Sequence, residues 1–272
     1  MMVIADAGGS KTDWRLIDNG RVLQYVSGGF NAQTHSLKQL TASLPSEINW
    51  SKVNQVHYYA AGISDSTGSS VKELLQKHTV QSNVFVYPDT LGVARGLLGA
   101  DAGWVGILGT GSAAFYYDGK TISIRKPSLG YLLGDEGSGV ALGKELVQRY
   151  VRGFLSKELQ HVIERTFPGI SEAQMLDEVY QNGNMKTYLS QFVPFLVDNQ
   201  SHPEIHQLVA YCFERYFEAY FENKSPETIA FSGSVGFLLG NILQKVARSR
   251  AISIQRTVQS PIAGLTLYHQ RL

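Results

Sequence analysis

Three short glycine-rich segments hold the residues whose types and spacing could do chemistry. The first, Asp6-Ala7-Gly8-Gly9-Ser10-Lys11-Thr12, joins one apolar, β-prone run to the next. Its glycines let the backbone approach a ligand, and successive N–H groups with hydroxyls at Ser10 and Thr12 can cradle phosphate oxygens beside Lys11. An ordinary hairpin turn asks only for positive φ; it does not ask for the carboxylate of Asp6 at a strand end, two hydroxyls and a lysine. The spacing is not Gly-x-x-x-x-Gly-Lys-Ser/Thr, so the segment is no P-loop. The second, Gly109-Thr110-Gly111-Ser112, repeats the glycine-and-hydroxyl chemistry about a hundred residues later. Two such turns at equivalent points of a duplicated sheet can hold a polyphosphate from both sides. The third, Gly130-Tyr131-Leu132-Leu133-Gly134-Asp135-Glu136-Gly137-Ser138-Gly139, sets two adjacent carboxylates before a helix. An N-cap role for Asp135 or Ser138 accounts for one polar residue but not for glycines on both sides, so this reads as a substrate loop.

Other features carry less. Asp89 follows an apolar run and Pro88, at the carboxyl end of a buried strand, where ligands sit in open α/β sheets; capping the helix from Thr90 is an equally physical role, and the two are compatible. Phe231-Ser232-Gly233-Ser234-Val235-Gly236 joins a strand to a helix through small residues. His202 and His206 stand one helical turn apart, but with no third ligand nearby and Pro203 marking a helix start they read as a solvated first turn. Tyr211, Phe213, Tyr216, Phe217, Tyr220 and Phe221 follow a 3–4 spacing and read as a core face.

These segments need elements to position them. Met2–Ala7, Thr12–Asp18 and Arg21–Ser27, with Asn19-Gly20 as a turn, predict a three-stranded meander. Gly103–Leu108, Ala113–Tyr117 and Lys120–Lys126, with Asp118-Gly119 as a turn, predict a second. The repeat points to internal duplication. Between the meanders, buried strands at Gln55–Ala61 and Asn83–Tyr87 alternate with helices near Ser69–His78 and Thr90–Leu98, which implies a parallel extension of the sheet. Residues 136–224 have helical period, broken at Pro168-Gly169, Asn182-Gly183, Pro194 and His202-Pro203. Glu227–Ser232 predicts one more strand, Gly236–Ser249 a helix and Pro261–Arg271 a closing helix.

Bulk properties bound the reading. The 272 residues suggest about two domains, and 43% hydrophobic against 17% charged residues is the balance of a chain with a sizeable core, not a disordered one. Twenty-four basic and 23 acidic residues give a charge of +1, which lacks the footprint of a nucleic-acid or anionic-membrane binder. Cys212 is the single cysteine, which excludes an internal disulfide and a thiolate metal site and fits a reducing cytoplasm. The start lacks a basic n-region, and the uncharged stretches, Ala102–Tyr117 among them, are too short to span a bilayer, so neither a signal peptide nor a membrane helix is expected.

Taken together, Asp-x-Gly-Gly-Ser-Lys-Thr, the Gly-Thr-Gly-Ser turn, Leu-Leu-Gly-Asp-Glu-Gly-Ser-Gly and the late Ser-Gly-Ser-Val-Gly occur in an order and spacing that resembles the N-acetylglucosamine kinase family. That family belongs with the ATPases that activate benzoyl-CoA reductase and 2-hydroxyacyl-CoA dehydratase, within the actin, sugar-kinase and heat-shock-protein superfamily. The resemblance covers the whole chain, and the Gly-Asp-Glu-Gly-Ser loop is its most specific element. It implies an α/β fold of two ribonuclease-H-like domains with a cleft between them. Residues 1–95 would form the first, with the closing helix 260–272 packed back on it, and 96–259 the second, with a helical insertion. It implies ATP and Mg²⁺, with Asp6 holding the ion through water. Gly8, Gly9, Ser10, Lys11 and Thr12 and the second turn Thr110, Gly111 and Ser112 would hold phosphates, and Gly233 and Ser234 the adenosine. Asn31, Gly130 and Asp135 would bind the sugar, and Asp89 would bind it and act as base; the tryptophan often found shortly after the asparagine is absent here.

The implied activity is phosphorylation of the 6-hydroxyl of N-acetylglucosamine or a related amino sugar, N-acetylmuramic acid included. The partner is then a small molecule, with no nucleic acid or membrane, and the apolar helical C-terminal half leaves room for a homodimer. Two rivals share the fold. A reductase activator needs cluster thiolates, and two subunits with one cysteine each supply too few; a non-catalytic sugar sensor would not need Asp89.

Overall fold

The alternation in the first meander becomes three antiparallel strands, β1 (Met2–Ala7), β2 (Lys11–Asp18) and β3 (Arg21–Gly28). Asn19 (φ +48°) and Gly20 (φ +80°) supply the left-handed pair that a two-residue hairpin requires. Helix α1 (Leu37–Ser43), strand β4 (Gln55–Ala60), helix α2 (Asp65–His78), strand β5 (Asn83–Pro88) and helix α3 (Asp89–Leu98) follow. Strands β4 and β5 add to β1 in parallel, giving the order β3-β2-β1-β4-β5.

The second meander is β6 (Gly103–Leu108), β7 (Ser112–Tyr117) and β8 (Ile122–Arg125). Helices α4 (Gly130–Leu133), α5 (Gly139–Val151), α6 (Lys157–Thr166), α7 (Glu172–Tyr180), α8 (Met185–Ser190), α9 (Val193–Asp198) and α10 (Pro203–Phe221) come next. Strand β9 (Thr228–Ser232), helices α11 (Ser234–Leu238) and α12 (Gly240–Ser249), strand β10 (Ser253–Val258) and helix α13 (Ile262–Gln270) close the chain. This sheet has the order β10-β9-β6-β7-β8, with β9 and β10 parallel to β6. Read from its other edge it repeats the first sheet strand for strand, so the duplication inferred from the two meanders extends to both parallel strands of each sheet.

This is a computed structural model, and it describes residues 1–79, 82–180, 183–222 and 225–271; of the expected helix breaks, Asn182 lies outside the described residues. The chain divides into two units. One takes in Met1–Ala102, Asp118–Thr121 and the segment from Ser260; the other takes in Gly103–Tyr117 and Ile122–Gln259. Among the described residues no helix is long and apolar enough to cross a membrane.

In the first unit, Val3, Ala5 and Ala7 of β1 pack with Trp14, Tyr58, Val71 and Leu75 on one face of the sheet. Period-2 alternation sends Ile4 and Asp6 to the other face, where Ile4 packs with Tyr59, Ile262 and Leu265. That face is covered by α3 and α13, which approach so closely that a β-carbon at Gly264 would strike the backbone of Gly96. In the second unit the aromatic stripe of α10 forms a core face, with Phe213, Tyr216, Phe217, Tyr220 and Phe221 buried and only Tyr211 of that stripe exposed.

Four elements depart from expectation. Helix α1 and strand β10 were not expected, α2 starts at Asp65 with Ser64 as its cap rather than near Ser69, and the expected helix Gly236–Ser249 is split into α11 and α12. His202 is the N-cap of α10, its Nδ1 accepting from the Glu204 N–H (3.3 Å), which accounts for it without a metal.

Candidate active site

In the first unit the polar residues gather at the carboxyl ends of β1, β4 and β5. Asp6 is the penultimate residue of β1, and the turn that follows is closed by the Gly8 N–H donating to the Lys11 carbonyl (3.0 Å). Gly9, Ser10 and Lys11 are exposed, so the turn offers backbone N–H groups and one free-standing hydroxyl. Thr12, expected among the phosphate ligands, is fully buried, and its hydroxyl donates to the Gly28 carbonyl (3.0 Å); it braces β2 against β3.

Directly across the β1–β2 ladder from Asp6 stands Asp13, a buried carboxylate that the motif reading missed. Asp13 is held by Lys11 Nζ (2.9 Å) and accepts from the Ser260 hydroxyl (3.3 Å). Burial pushes the Asp6 carboxyl up to about 7, with the negative charges of Asp89 and Asp13 adding to it and Lys11 opposing. Asp6 and Asp89 are thus near enough to feel each other. Asp89 is the first residue of α3, one place inside the expected cap; Pro88 takes the cap position without a side-chain bond, and Asp89 Oδ1 accepts from the Thr90 N–H (2.8 Å).

Asn31 lies on the segment after β3, bridged to Ala61 beyond β4. Its Oδ1 accepts from the Gln33 N–H (2.9 Å) and its own N–H donates to His35 Nδ1 (3.2 Å). The carbonyl end is therefore committed within the loop, and the Nδ2 donors are the part of the amide left to offer a ligand.

The set fits an ion held on phosphate through water better than one held directly. Among the described residues no group of three or more His, Cys, Asp or Glu side chains is arranged to hold a metal, whereas Asp6 carries two like-charged neighbours whose repulsion a divalent cation relieves.

In the second unit the Gly109–Ser112 turn is wired to the start of α5. The Gly139 N–H donates to the Gly109 carbonyl (2.8 Å), and the Ser112 N–H donates to Asp135 Oδ1 (3.2 Å). Asp135 is buried, with left-handed backbone (φ +58°) that aspartate tolerates better than most residues, and Gly111 lies beside the same carboxylate. Ser138, not Asp135, caps α5, accepting from the Ala141 N–H (3.2 Å). Gly130, also at positive φ (+72°), begins α4. From below, Tyr216 donates to the Ala113 carbonyl (2.8 Å) and Tyr220 to that of Ser112 (3.2 Å), so the aromatic stripe of α10 also fixes the turn.

Gly233 has φ +124° and lies against the Leu108 carbonyl, a backbone path closed to side chains. That path delivers Ser234 to a cavity of about 430 Å³ also lined by Thr110. The two expected nucleotide segments, 120 residues apart, thus meet in one place. The wall also takes in Gly139 of α5, Val235 and Leu238 of α11, and Ser190, Val193, Pro194, Val197 and Asp198 of α8 and α9; apart from the helix break at Pro194, the motif reading did not single out those of α8 and α9 because they lie in a long helical run.

No family model matches the chain, and no curated protein matches it. Solved structures do. A Porphyromonas gingivalis protein provisionally named an N-acetylglucosamine kinase superposes with a TM-score of 0.91 at 28% identity, over 100% of this chain and 99% of that one. A protein of the same provisional name from Chromobacterium violaceum follows at TM-score 0.71 and 20% identity, over 98% of each chain. A ROK family glucokinase from Streptomyces griseus, solved with glucose and AMPPNP, shares the fold at TM-score 0.56 and 17% identity, over 99% of this chain and 98% of that one. The fold is that of the ATP-dependent sugar kinases of the two-domain, actin-like class. Within that class the chain is similar along nearly its whole length to the two proteins provisionally named N-acetylglucosamine kinases.

Proposed function

We propose that the chain transfers the γ-phosphate of ATP to the 6-hydroxyl of N-acetylglucosamine or a related N-acetylated amino sugar, N-acetylmuramic acid included, in the cytoplasm. The observation that carries the reading is the convergence of Asp6 and Asp89 at the carboxyl ends of parallel strands beside the exposed Gly8–Ser10 turn. Phosphoryl transfer asks for positioning and charge neutralisation more than for covalent help, and these residues divide that work.

In this reading Asp89 accepts the proton of the sugar hydroxyl as its oxygen attacks the γ-phosphorus and the bridging oxygen leaves with ADP. Backbone N–H groups of Gly9 and Ser10, the Ser10 hydroxyl and the Thr110–Ser112 turn hold the phosphates, with Lys11 alongside and Gly8 closing the first turn through its own N–H. Thr12 and Asp135 act one step back, bracing the two turns through Gly28 and Ser112. Asp6 would orient a hydrated Mg²⁺ on the phosphates, and that ion would neutralise their charge. Asn31 offers its Nδ2 donors to the sugar, and the loop from Gly130 to Asp135 closes the sugar side. Thr110, Gly233 and Ser234 hold the nucleoside at the second-unit cavity.

The reductase-activator alternative finds no support in Cys212, which lies inside α10 with burial pushing its thiol up to about 12, the wrong direction for a cluster thiolate. The test is ATP-dependent phosphorylation across a sugar panel. A site that hydrogen-bonds the acetamido group leaves polar groups unpaired when that group is missing, so kcat/KM for glucose is expected to fall at least ~100-fold below that for N-acetylglucosamine or N-acetylmuramic acid. Comparable values for glucose overturn the substrate class and leave the kinase class standing.

A further inference from the structure

We propose that Asp198 reads the ribose of the nucleotide, accepting hydrogen bonds from the 2′- and 3′-hydroxyls and making the site selective for ribonucleotides rather than for a particular base. The inference rests on the assignment of the Thr110–Ser234 cavity to the nucleoside.

The cavity, at about 430 Å³, has the size of a small-molecule site. Much of its wall is aliphatic: Val193, Pro194 and Val197 from α9, with Val235 and Leu238 from α11. Such a slot takes the face of a flat ring. The polar side chains in the wall are Thr110, Ser190, Asp198 and Ser234, the last a hydroxyl at the start of α11. Thr110 belongs to the phosphate turn. Ser190 spends its hydroxyl proton on the Thr187 carbonyl (3.2 Å), so it meets a ligand as an acceptor. Asp198, as a carboxylate, is an acceptor only.

Acceptors recognise donors, and the donors of a nucleotide are its ribose hydroxyls and the N–H groups of the base. Adenine presents its amino group beside the N1 lone pair, which a carboxylate repels. The vicinal diol presents two donors to the two oxygens of one carboxylate. Guanine is the competing match, through N1–H and its amino group, and is distinguished by experiment.

The placement of Asp198 argues that it serves a ligand. It is the last residue of α9, whose end is closed by the side-chain amides of Asn199 and Gln200 donating to the Phe195 (2.8 Å) and Val197 (2.9 Å) carbonyls, so its carboxylate is not needed there. Among the described residues its carboxylate has no hydrogen-bond or ion-pair partner. Asp198 is also exposed, which leaves its carboxylate oxygens accessible to a ligand in the cavity that it lines.

The experiment is titration calorimetry of the full chain with ATP, 2′-deoxyATP and GTP in the presence of Mg²⁺, for the wild type, Asp198→Ala and Asp198→Asn, with thermal midpoints alongside. A hydrogen bond to a charged group supports about tenfold tighter binding of ATP than of 2′-deoxyATP by the wild type. Asp198→Ala is expected to weaken both, 2′-deoxyATP through its remaining 3′-hydroxyl bond and ATP by more because it loses two, so that the two nucleotides bind about equally, and to hold or raise the thermal midpoint. Asp198→Asn keeps the shape and loses the charge, so it should lose most of the discrimination. Equal affinity of the wild type for ATP and 2′-deoxyATP overturns the proposal, as does a GTP preference abolished in Asp198→Ala, which assigns the carboxylate to the base. Because binding is read, a chain that binds ATP but phosphorylates no amino sugar fails the proposed function and leaves this inference standing. A chain that binds no nucleotide overturns the reading of the cavity itself.

Discussion

At the scale of single residues, three carboxylates decide what the first-unit site can do. Asp13 is neutralised by Lys11, Asp6 is driven toward protonation by burial and then by its neighbours, and Asp89 starts a helix. Only Asp89 combines a strand-end position with a backbone bond, from Thr90, that an amide could also accept. Asp89→Asn therefore preserves the helix start and changes stability by less than ~1 kcal/mol, the size of a first-turn charge effect, while removing the proton acceptor. Loss of a general base costs ~10²–10⁴ in rate, so kcat should fall by that order with the Kd for ATP nearly unchanged. Steady-state kinetics with calorimetry checks both. Near-normal kcat in a folded variant removes Asp89 from the mechanism and leaves Asp135 as the next candidate. The motif residues were legible because their chemistry is written in adjacent positions. Asp13 was not, because its place opposite Asp6 depends on the β1–β2 register. The inward turn of Thr12 and the bond from Ser112 to Asp135 depend likewise on how loops fold back, which spacing alone does not contain.

At the scale of elements, the strands that alternate and end in Asx-Gly turns were readable, and those that do not were missed. Ser253–Val258 is a short, largely polar edge strand with a register irregularity, so β10 has no period-2 signature to find. Helix α1 did carry one, the capping box Ser36–Gln39, in a helix too short for its period to show. The helices on the Asp6 face contribute a pH dependence of their own. His269 of α13 is buried, its Nε2 2.8 Å from the Tyr59 hydroxyl, and its ring lies 3.8 Å from that of His57 on β4. Arg95 of α3 donates to the same Tyr59 hydroxyl (2.8 Å) and sits over the Tyr87 and Tyr268 rings. Burial, with Arg95 adding to it, holds His57 down to about 4; burial, then His57 and Arg95, hold His269 down to about 3. Both are neutral when folded, while in the unfolded chain they take up protons below pH ~6.5. Acidification therefore favours unfolding: the stability present above pH ~6.5 is lost as pH falls, by at most ~1.4 kcal/mol per pH unit for each histidine and less where solvent screens them. Asp6, raised to about 7 in the folded chain, takes up a proton in the same range and opposes this by about one histidine's share, so urea unfolding between pH 7 and 5 should show the net loss and His57→Phe should reduce it relative to the wild type. A profile unchanged by that substitution removes the pair as its cause.

At the scale of the whole molecule, the chain builds one five-stranded sheet, builds a second of the same order, and then returns to complete the first unit with α13. The repeat was visible in the meanders, but the return was not explained by them, since a closing helix has no internal sign of which sheet it covers. Its partner is fixed by packing: Leu265 is fully buried with Ile4, Tyr59 and Ile262, and the Gly96–Gly264 contact sets the approach of α13 to α3. That face also carries Asp6, and α3 begins with Asp89, so a residue near the end of the sequence supports two positions of the proposed site. Leu265→Ala should cost ~2–5 kcal/mol, the range for emptying a buried leucine site that collapses incompletely. Hydrogen exchange should localise the loss, with faster exchange in β1, β4 and α3. The substitution should also lower the temperature at which sugar-kinase activity is lost, with kcat near normal well below it. Leu238→Ala, at an exposed position on α11, serves as the comparison and should change stability by less than ~1 kcal/mol. Unchanged exchange in β1 and β4 would mean that α13 does not hold this face. The support for Asp6 and Asp89 would then lie with the opposite layer, Trp14, Tyr58 and Leu75, where substitutions should be made next.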